Sequence, residues 1–163
     1  SPIEIADEYV EIVKIANQYY DKVFVDLDYN LNQDIREQII DQSDLIILNS
    51  SQNYKSLKEL KENKENNKLL KSPRTLLLIG RYDKYSKYNV KNITRYLGEK
   101  NKVLTVPYNT LYFEACNEAG VPDLFLKLKK MYDLDDRNAI FMEEIKRASE
   151  NIIYRLQELQ TIM

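Results

Sequence analysis

The feature of this sequence that most constrains its fold is the alternation of short apolar runs with longer segments of helical periodicity. The apolar runs lie at residues 23–27, 44–49, 75–79 and 103–106. Strands that alternate with helices pair in parallel through right-handed crossovers, and strands that are apolar on both faces need helices on both sides of the sheet. The pattern therefore predicts an α/β fold, in which three layers enclose a mainly parallel sheet of about four strands.

The segments between the apolar runs predict helices, because apolar residues recur in them every three or four positions. These segments are residues 3–19, 34–41, 54–70, 89–97, 110–118, 122–132 and 137–160. Gly98 is expected to end the fourth helix in a left-handed conformation. A chain of 163 residues can bury one sizeable core, so residues 1–163 are predicted to form a single α/β domain with a long C-terminal helix.

Charge is distributed unevenly along the chain, although the net charge is only −2. Residues 1–50 carry 3 basic and 11 acidic side chains, whereas residues 51–102 carry 14 basic and 5 acidic ones. The small net charge gives no general attraction to nucleic acid or to a membrane surface. The basic middle third is interpreted either as a solvated, lysine-rich surface or as a contact surface for an anionic partner.

The residue counts exclude several kinds of chemistry. The sequence has no histidine, which removes histidine-based acid–base catalysis and most zinc sites. Cys116 is the only cysteine, so an intrachain disulfide is impossible and a reducing compartment fits. We expect Cys116 to be a small packed side chain. No apolar run approaches the roughly 20 residues of a membrane span, and no signal peptide is visible, so a cytoplasmic location is predicted.

Polar residues follow the predicted strands at the edge of the sheet where α/β proteins bind ligands. Asp26 ends the first apolar run and Asp28 lies just behind it, which is how a P-loop ATPase presents the acid that holds magnesium. The second predicted strand ends at Asn49, Gly80 and Arg81 follow the third, and Pro107 and Tyr108 follow the fourth. The phosphate loop that accompanies such an acid, GxxxxGK(S/T), is missing from the sequence.

Four stretches of the chain, taken in order, resemble the MinD/ParA group of P-loop ATPases, which have a deviant Walker A motif. VFVDLD is similar to the Walker-B strand of that family, DQSDLIILNSSQNYKSL to the following strand and turn, LLLIGRYDK to its Arg-Tyr-Asp strand, and VLTVPYNTLYFEACNEAGVP to its adenine-side segment. Within the group the chain looks most like the CpaE/TadZ-like proteins of pilus assembly. The match spans roughly residues 20–130, and the phosphate loop would lie upstream of residue 1.

The resemblance implies site residues and cofactors. Asp26 would hold magnesium with Asp28 as its neighbour, and Asp26, Arg81, Pro107 and Tyr108 would form the nucleotide side of the site. Gly80 stands where the family has an adenine-reading asparagine. ATP and Mg²⁺ are therefore expected as cofactors only if a preceding half supplies the phosphate loop, and no cofactor is expected for this chain alone.

Three functions follow as hypotheses. The first is an ATPase-like localisation or scaffold module that acts by protein–protein contacts, for example in the assembly of a pilus or a secretion system. In the second, the chain is the C-terminal part of an active MinD/ParA-type ATPase, so the parent protein is an enzyme although this piece alone is not catalytic. The third is a receiver-like signalling domain, with Asp26 or Asp28 as the phosphoacceptor.

The predicted partners are proteins, including a second copy of the chain. Nonspecific DNA is a further candidate for residues 55–102, because RYDKYSKYN alternates basic with aromatic side chains, a composition that suits phosphates and stacked bases. A membrane is not expected as a partner. The polar face of the last helix mixes acidic with basic residues, whereas helices that lie on membranes favour a mainly basic face.

Overall fold

The computed structural model describes residues 2–27, 32–130 and 136–162 of the chain. The chain divides into two compact units, Ser1–Asp44 and Leu45–Met163. The helices of the described residues are α1 (Pro2–Tyr19), α2 (Gln33–Gln42), α3 (Tyr54–Asn66), α4 (Val90–Leu97), α5 (Thr110–Asn117), α6 (Val121–Leu128) and α7 (Arg137–Ile162). A short 3₁₀ helix, Lys68–Lys71, follows α3.

The larger unit is built on a parallel sheet. Its strands are β1 (Ile46–Ser51), β2 (Thr75–Tyr82) and β3 (Leu104–Pro107), in the spatial order β1-β2-β3, and both pairs are parallel. The pairing of β2 with β3 becomes irregular between Ile79 and Tyr82. The prediction of an α/β fold with a parallel sheet and a long C-terminal helix is thereby confirmed.

Side chains of β2 alternate between two apolar clusters. Leu77 and Ile79 pack with Leu57 of α3 and Ile93 of α4. Leu76 packs in a separate cluster with Leu104 of β3 and Ala148 of α7. Because successive side chains of a strand point to opposite faces, α3 and α4 cover one face of the sheet and α7 covers the other.

One glycine and one arginine help to fix where two of the helices lie. Gly98 ends α4 with φ +64° and ψ +33°, the left-handed conformation that the sequence predicts there. The Arg155 guanidinium of α7 donates hydrogen bonds to the carbonyl oxygen of Pro73, at 2.6 Å and 3.2 Å, in the turn that leads into β2. The capping glycine and the arginine therefore help to set where α4 ends and where α7 lies on the sheet.

The smaller unit contains α1 and α2, which pack through Val10, Ile35 and Ile39, with Leu27 against them. The Asn32 side chain caps α2 by accepting a hydrogen bond from the Asp34 backbone N–H at 2.8 Å. The apolar residues of this unit thus form a small helical core.

The prediction of a strand at residues 23–27 is wrong. Residues 22–27 have no strand conformation in the structure, and Phe24 is 82% exposed. A short apolar run becomes a strand only where a neighbouring strand pairs with its backbone, and in the smaller unit the described partners are helices. The sheet formed by the described residues accordingly has three strands rather than four.

Candidate functional site

The carboxyl edge of the sheet brings together three of the residues predicted for a site. Tyr82, next to Arg81, pairs with Pro107, and the Tyr108 backbone N–H donates a hydrogen bond to the Tyr82 carbonyl at 3.4 Å. Arg81, Pro107 and Tyr108 therefore lie close together at the carboxyl ends of β2 and β3.

The two acidic residues predicted for magnesium precede the larger unit in the sequence. Asp26 belongs to the smaller unit, where its side chain is exposed. Asp28 lies outside the described residues. In the part of the chain that the structure describes, no group of three or more acidic or cysteine side chains is placed to hold a metal ion.

Arg81 has an unusual backbone conformation at the end of β2. Its φ is +51°, in the left-handed region that residues other than glycine adopt rarely, and it lies within the irregular pairing of β2 with β3. Its guanidinium carbon lies 5.8 Å from the centre of the Phe113 ring on α5, a distance typical of a cation–π contact. The turned backbone thus directs the exposed Arg81 side chain toward α5.

Gln52, just after β1, ties the following loop to the sheet edge. Its Oε1 accepts a hydrogen bond from the Asp83 backbone N–H at 2.7 Å, and its Nε2 donates to the carbonyl oxygens of Asp83 at 2.8 Å and Tyr88 at 2.9 Å. The amide therefore bridges the ends of β1 and β2 and fixes both ends of the 83–88 loop. Gln52 is not among the site residues predicted from the sequence, although its position directly after a predicted strand is a signal for it.

Asparagine caps each helix that follows a strand or its loop. Asn53 accepts from the Ser56 N–H at 2.9 Å, Asn89 from the Asn92 N–H at 3.1 Å and Asn109 from the Tyr112 N–H at 2.9 Å. Each cap satisfies one of the N–H groups that a helix start leaves free. At α3, α4 and α5 a side chain of the protein therefore occupies a position where nucleotide-binding α/β proteins bring a phosphate.

A groove of about 420 Å³ lies where α3, α4 and the 83–88 loop meet. Its floor is formed by Leu57 and Ile93, which are almost completely buried. Tyr54, Tyr88 and Tyr96 line its sides, together with Lys87 and Asn92. Three tyrosine rings thus line the groove, and the loop held by Gln52 forms one wall.

Lysines lie over the aromatic rings of this region. The Lys61 ammonium is 4.5 Å from the centre of the Tyr96 ring, and the Lys87 ammonium is 5.1 Å from the centre of the Tyr88 ring. Lys84 and Tyr85 form a similar pair, at 5.1 Å, on the loop. The basic and aromatic side chains that alternate in the sequence are therefore close in space.

Tyr112 and Cys116 lie one turn apart on α5. Burial raises the pKa of the Tyr112 hydroxyl above its ordinary value, and a side-chain hydrogen bond and an electrostatic interaction with Cys116 raise the pKa further. The ring centre of Tyr112 is 5.3 Å from that of Phe141. Cys116 itself is exposed, so the prediction that it is a packed side chain is wrong.

Comparison with protein-family models, with curated proteins and with solved structures finds no match to this chain. None of the described helices is both long and apolar enough to cross a membrane. The fold is that of an α/β protein. At the carboxyl edge of its sheet, the amide side chains of Gln52 and of the asparagine caps bond to the protein's own backbone.

Proposed function

We propose that this chain is an ATPase-like scaffold module of the MinD/ParA type, close to the CpaE/TadZ-like proteins, which acts through protein–protein contacts rather than by hydrolysing a nucleotide. The family part of the proposal rests on the sequence stretches that resemble that group; of these, the stretch at residues 23–27 does not form the strand that the resemblance implies. A role in assembling a pilus or a secretion system, in the cytoplasm, follows from the same resemblance.

The observation that carries the proposal is an exposed apolar stripe on α1. Tyr9, Ile12, Ile15 and Tyr19 are between 46% and 78% exposed, and their spacing places them on one face of the helix. Val10, on another face, provides the contact with α2. A contiguous exposed apolar surface of this kind is typical of an interaction site.

The order of residues in the stripe favours a second copy of the chain as its partner. Read in either direction the stripe is Tyr-Ile-Ile-Tyr, so two α1 helices packed antiparallel about a two-fold axis would place Tyr9 near Tyr19 and Ile12 near Ile15 of the other copy. Such a self-complementary surface suits the isologous interface of a symmetric dimer. The scaffold would then present two larger units to the machine that it serves.

Gln52 and the asparagine caps support the part of the proposal that concerns nucleotide. Ligands of open α/β sheets bind in the crevice at the carboxyl ends of the strands. At this edge Gln52 uses both its oxygen and its nitrogen on the 83–88 loop of the same chain. A nucleotide that used the loop after β1 or the 83–88 loop would have to compete with those hydrogen bonds.

The dimer is tested by light scattering of the purified chain, with Ile12→Glu as the disrupting variant. Ile12 is 61% exposed, so the new carboxylate should not disturb the fold. The matched control is Leu126→Glu on α6, where the original side chain is 63% exposed. We expect the wild type and Leu126→Glu to dimerise and Ile12→Glu to be monomeric.

Salt adds a second readout to the same experiment. Residues 1–44 carry 3 basic and 11 acidic side chains, so two such units repel one another and salt screens that repulsion. Dimerisation through an apolar stripe should therefore become stronger as the salt concentration is raised from about 50 mM to about 500 mM. A wild-type monomer at all concentrations, or a dimer unaffected by Ile12→Glu, would contradict the proposal.

Nucleotide binding is tested separately by thermal unfolding with ATP and Mg²⁺. A ligand that binds only the folded state raises the unfolding temperature by mass action. We expect no rise at millimolar ATP. A rise that Asp26→Ala abolishes would instead favour the active-ATPase hypothesis, and phosphorylation by a small phosphodonor, lost in Asp26→Asn, would favour the receiver hypothesis.

A further inference from the structure

We propose that the groove between α3 and α4 binds single-stranded nucleic acid, with bases stacked on its tyrosine rings and backbone phosphates contacted by the lysines around it. This site belongs to the larger unit and is independent of the dimer proposed above.

The aromatic lining supplies the surface for bases. Tyr54 and Tyr96 are exposed, whereas Tyr88 is half-buried against the apolar cluster of Leu57 and Ile93, so two rings of the groove are open to a ligand and the third forms part of its wall. Stacking of bases on aromatic side chains is the main sequence-independent contact of single-strand-binding proteins. A duplex keeps its base faces stacked inside the helix and cannot use such rings.

The charge around the groove suits phosphates. The segment that supplies α3, the 83–88 loop and α4, residues 51–102, carries 14 basic side chains against 5 acidic ones, although some of them, such as Lys102 beside Asn151 of α7, lie away from the groove. Two of the acids, Glu62 and Glu99, form ion pairs with Lys58 and Lys64. Lys61 and Lys87 lie over the rings of the groove itself. Cation–π contacts at exposed sites are weak, so these ammonium groups can turn to a phosphate at small cost.

The wall of the groove is held by hydrogen bonds within the chain. Gln52 donates to the Tyr88 carbonyl at 2.9 Å, Asn92 donates to the Lys87 carbonyl at 2.7 Å, and the Tyr82 hydroxyl accepts from the Val90 N–H at 3.1 Å. The backbone that presents Lys87 and Tyr88 is thus held at three successive points. A binding surface that is already ordered loses less entropy when its ligand arrives.

The experiment measures fluorescence anisotropy of the full chain with labelled oligo(dT), oligo(U) and a DNA duplex of the same length. We expect both single strands to bind and the duplex to bind more weakly. The logarithm of affinity should fall linearly with that of the salt concentration, with a slope of about −0.7 for each phosphate contacted. Equal or tighter binding of the duplex would overturn the proposal, as would no binding of single strands at low salt.

Variants of the rings and lysines locate the site. Tyr96→Leu and Tyr54→Leu should each weaken binding by about 5- to 150-fold, the range measured for loss of one stacked base. Tyr96→Phe keeps the ring and should retain most of the affinity, which separates stacking from any effect on folding. Lys87→Gln should weaken binding and reduce the salt slope by about 0.7.

Control variants lie on α7, outside the groove. Tyr154→Leu and Lys146→Gln replace exposed side chains of the same types and should leave affinity unchanged. Binding that is insensitive to Tyr54→Leu and Tyr96→Leu would overturn the assignment of the groove. An acidic peptide is the competing partner, and displacement of the oligonucleotide by polyglutamate at lower concentration than by unlabelled oligo(dT) would overturn the choice of nucleic acid.

Discussion

The side-chain amide of Gln52 and the backbone of Asp83 exchange two hydrogen bonds across 31 residues of sequence. A third bond from the same amide reaches the Tyr88 carbonyl. These bonds connect the end of β1 to the loop after β2, so one side chain determines the shape of both the sheet edge and the neighbouring groove.

Replacing Gln52 with alanine should release the 83–88 loop. Three hydrogen bonds are lost, and each contributes about 0.5–1.5 kcal/mol, with part of the loss recovered because water reaches the partly exposed groups. We expect unfolding free energy to fall by about 1–3 kcal/mol and amide hydrogen exchange at Asp83 to accelerate. Urea unfolding and hydrogen exchange check this, with Gln160→Ala on α7 as the control. Unchanged exchange at Asp83 would contradict it.

Lys64 of α3 and Glu99, just after α4, form an ion pair with side chains only 10% and 7% exposed. Removing one partner leaves the other charge buried, which costs about 3–5 kcal/mol, whereas replacing both by apolar residues of similar volume is often neutral. We therefore expect Lys64→Met and Glu99→Leu each to destabilise the fold strongly. The double variant should recover most of the loss in urea unfolding.

The exposed pair of Lys58 and Glu62 is the control for this cycle. These residues lie four apart on α3, with side chains 57% and 58% exposed and a separation of 3.8 Å. Surface pairs of this kind contribute about 0.3–0.5 kcal/mol, so Lys58→Met should have little effect. Additive losses in the double variant of Lys64 and Glu99 would show that the two buried charges do not interact.

The sequence predicts a strand correctly where an apolar run is both buried and paired with a neighbouring strand. It fails where an apolar run has no strand to pair with. The apolar runs around Leu77 and Phe24 look alike in composition, yet Leu77 is buried in a central strand and Phe24 is exposed. Composition reports the tendency to form a strand, but a strand also needs a partner, which depends on residues far along the chain. Arg81 could be predicted at an edge because strand ends follow from the local pattern.

The residues that the sequence analysis missed depend on contacts between distant segments. Gln52 acquires its role from a loop 31 residues later, and Tyr54 and Tyr96 meet only because α3 and α4 cover the same face of the sheet. Helical periodicity predicts which residues of one helix share a face, but not which face of a second helix lies opposite. The groove therefore emerged only from the tertiary structure.

A side chain at Gly98 should destabilise the fold, and the cause is the backbone conformation alone. A Cβ at this position meets no atom within 4 Å, but φ is +64°, a conformation that costs other residues roughly 1–2 kcal/mol. We expect Gly98→Ala to reduce the unfolding free energy by about that amount in urea titrations. A loss much larger than this would mean that a steric clash, rather than the backbone conformation, sets the cost.

Gly80 provides the matched comparison for Gly98. Its Cβ would also meet no atom within 4 Å, its φ is not in the left-handed region, and it lies within β2. Glycine inside a strand is less favourable than alanine by roughly 0.5–1 kcal/mol, so Gly80→Ala should stabilise the fold. Opposite signs for the two substitutions, measured in the same denaturant series, are the expected outcome.

Tyr112 should make the protein less stable at high pH. Its pKa is raised above the ordinary value of 10.0, chiefly by burial and then by Cys116, so the folded state holds the hydroxyl proton more tightly than the unfolded state does. The stabilisation is complete below pH 10, the unfolded-state pKa, and is lost as pH rises through the folded-state pKa. Unfolding free energy should therefore fall with pH in that window, and Tyr112→Phe should make the decline shallower.

The contribution of Cys116 can be separated from that of burial by ultraviolet titration of the phenolate band. The difference between the wild type and Tyr112→Phe gives the curve of Tyr112 alone. A Cys116→Ala background removes the hydrogen bond and the electrostatic interaction with Cys116 but keeps the burial. The Tyr112 pKa should therefore drop only part of the way toward 10.0. A Tyr112 pKa at or below 10.0 in the wild type would contradict the prediction. A Tyr112 pKa that returns fully to 10.0 in Cys116→Ala would mean that the thiol, rather than burial, is the main cause of the raised value.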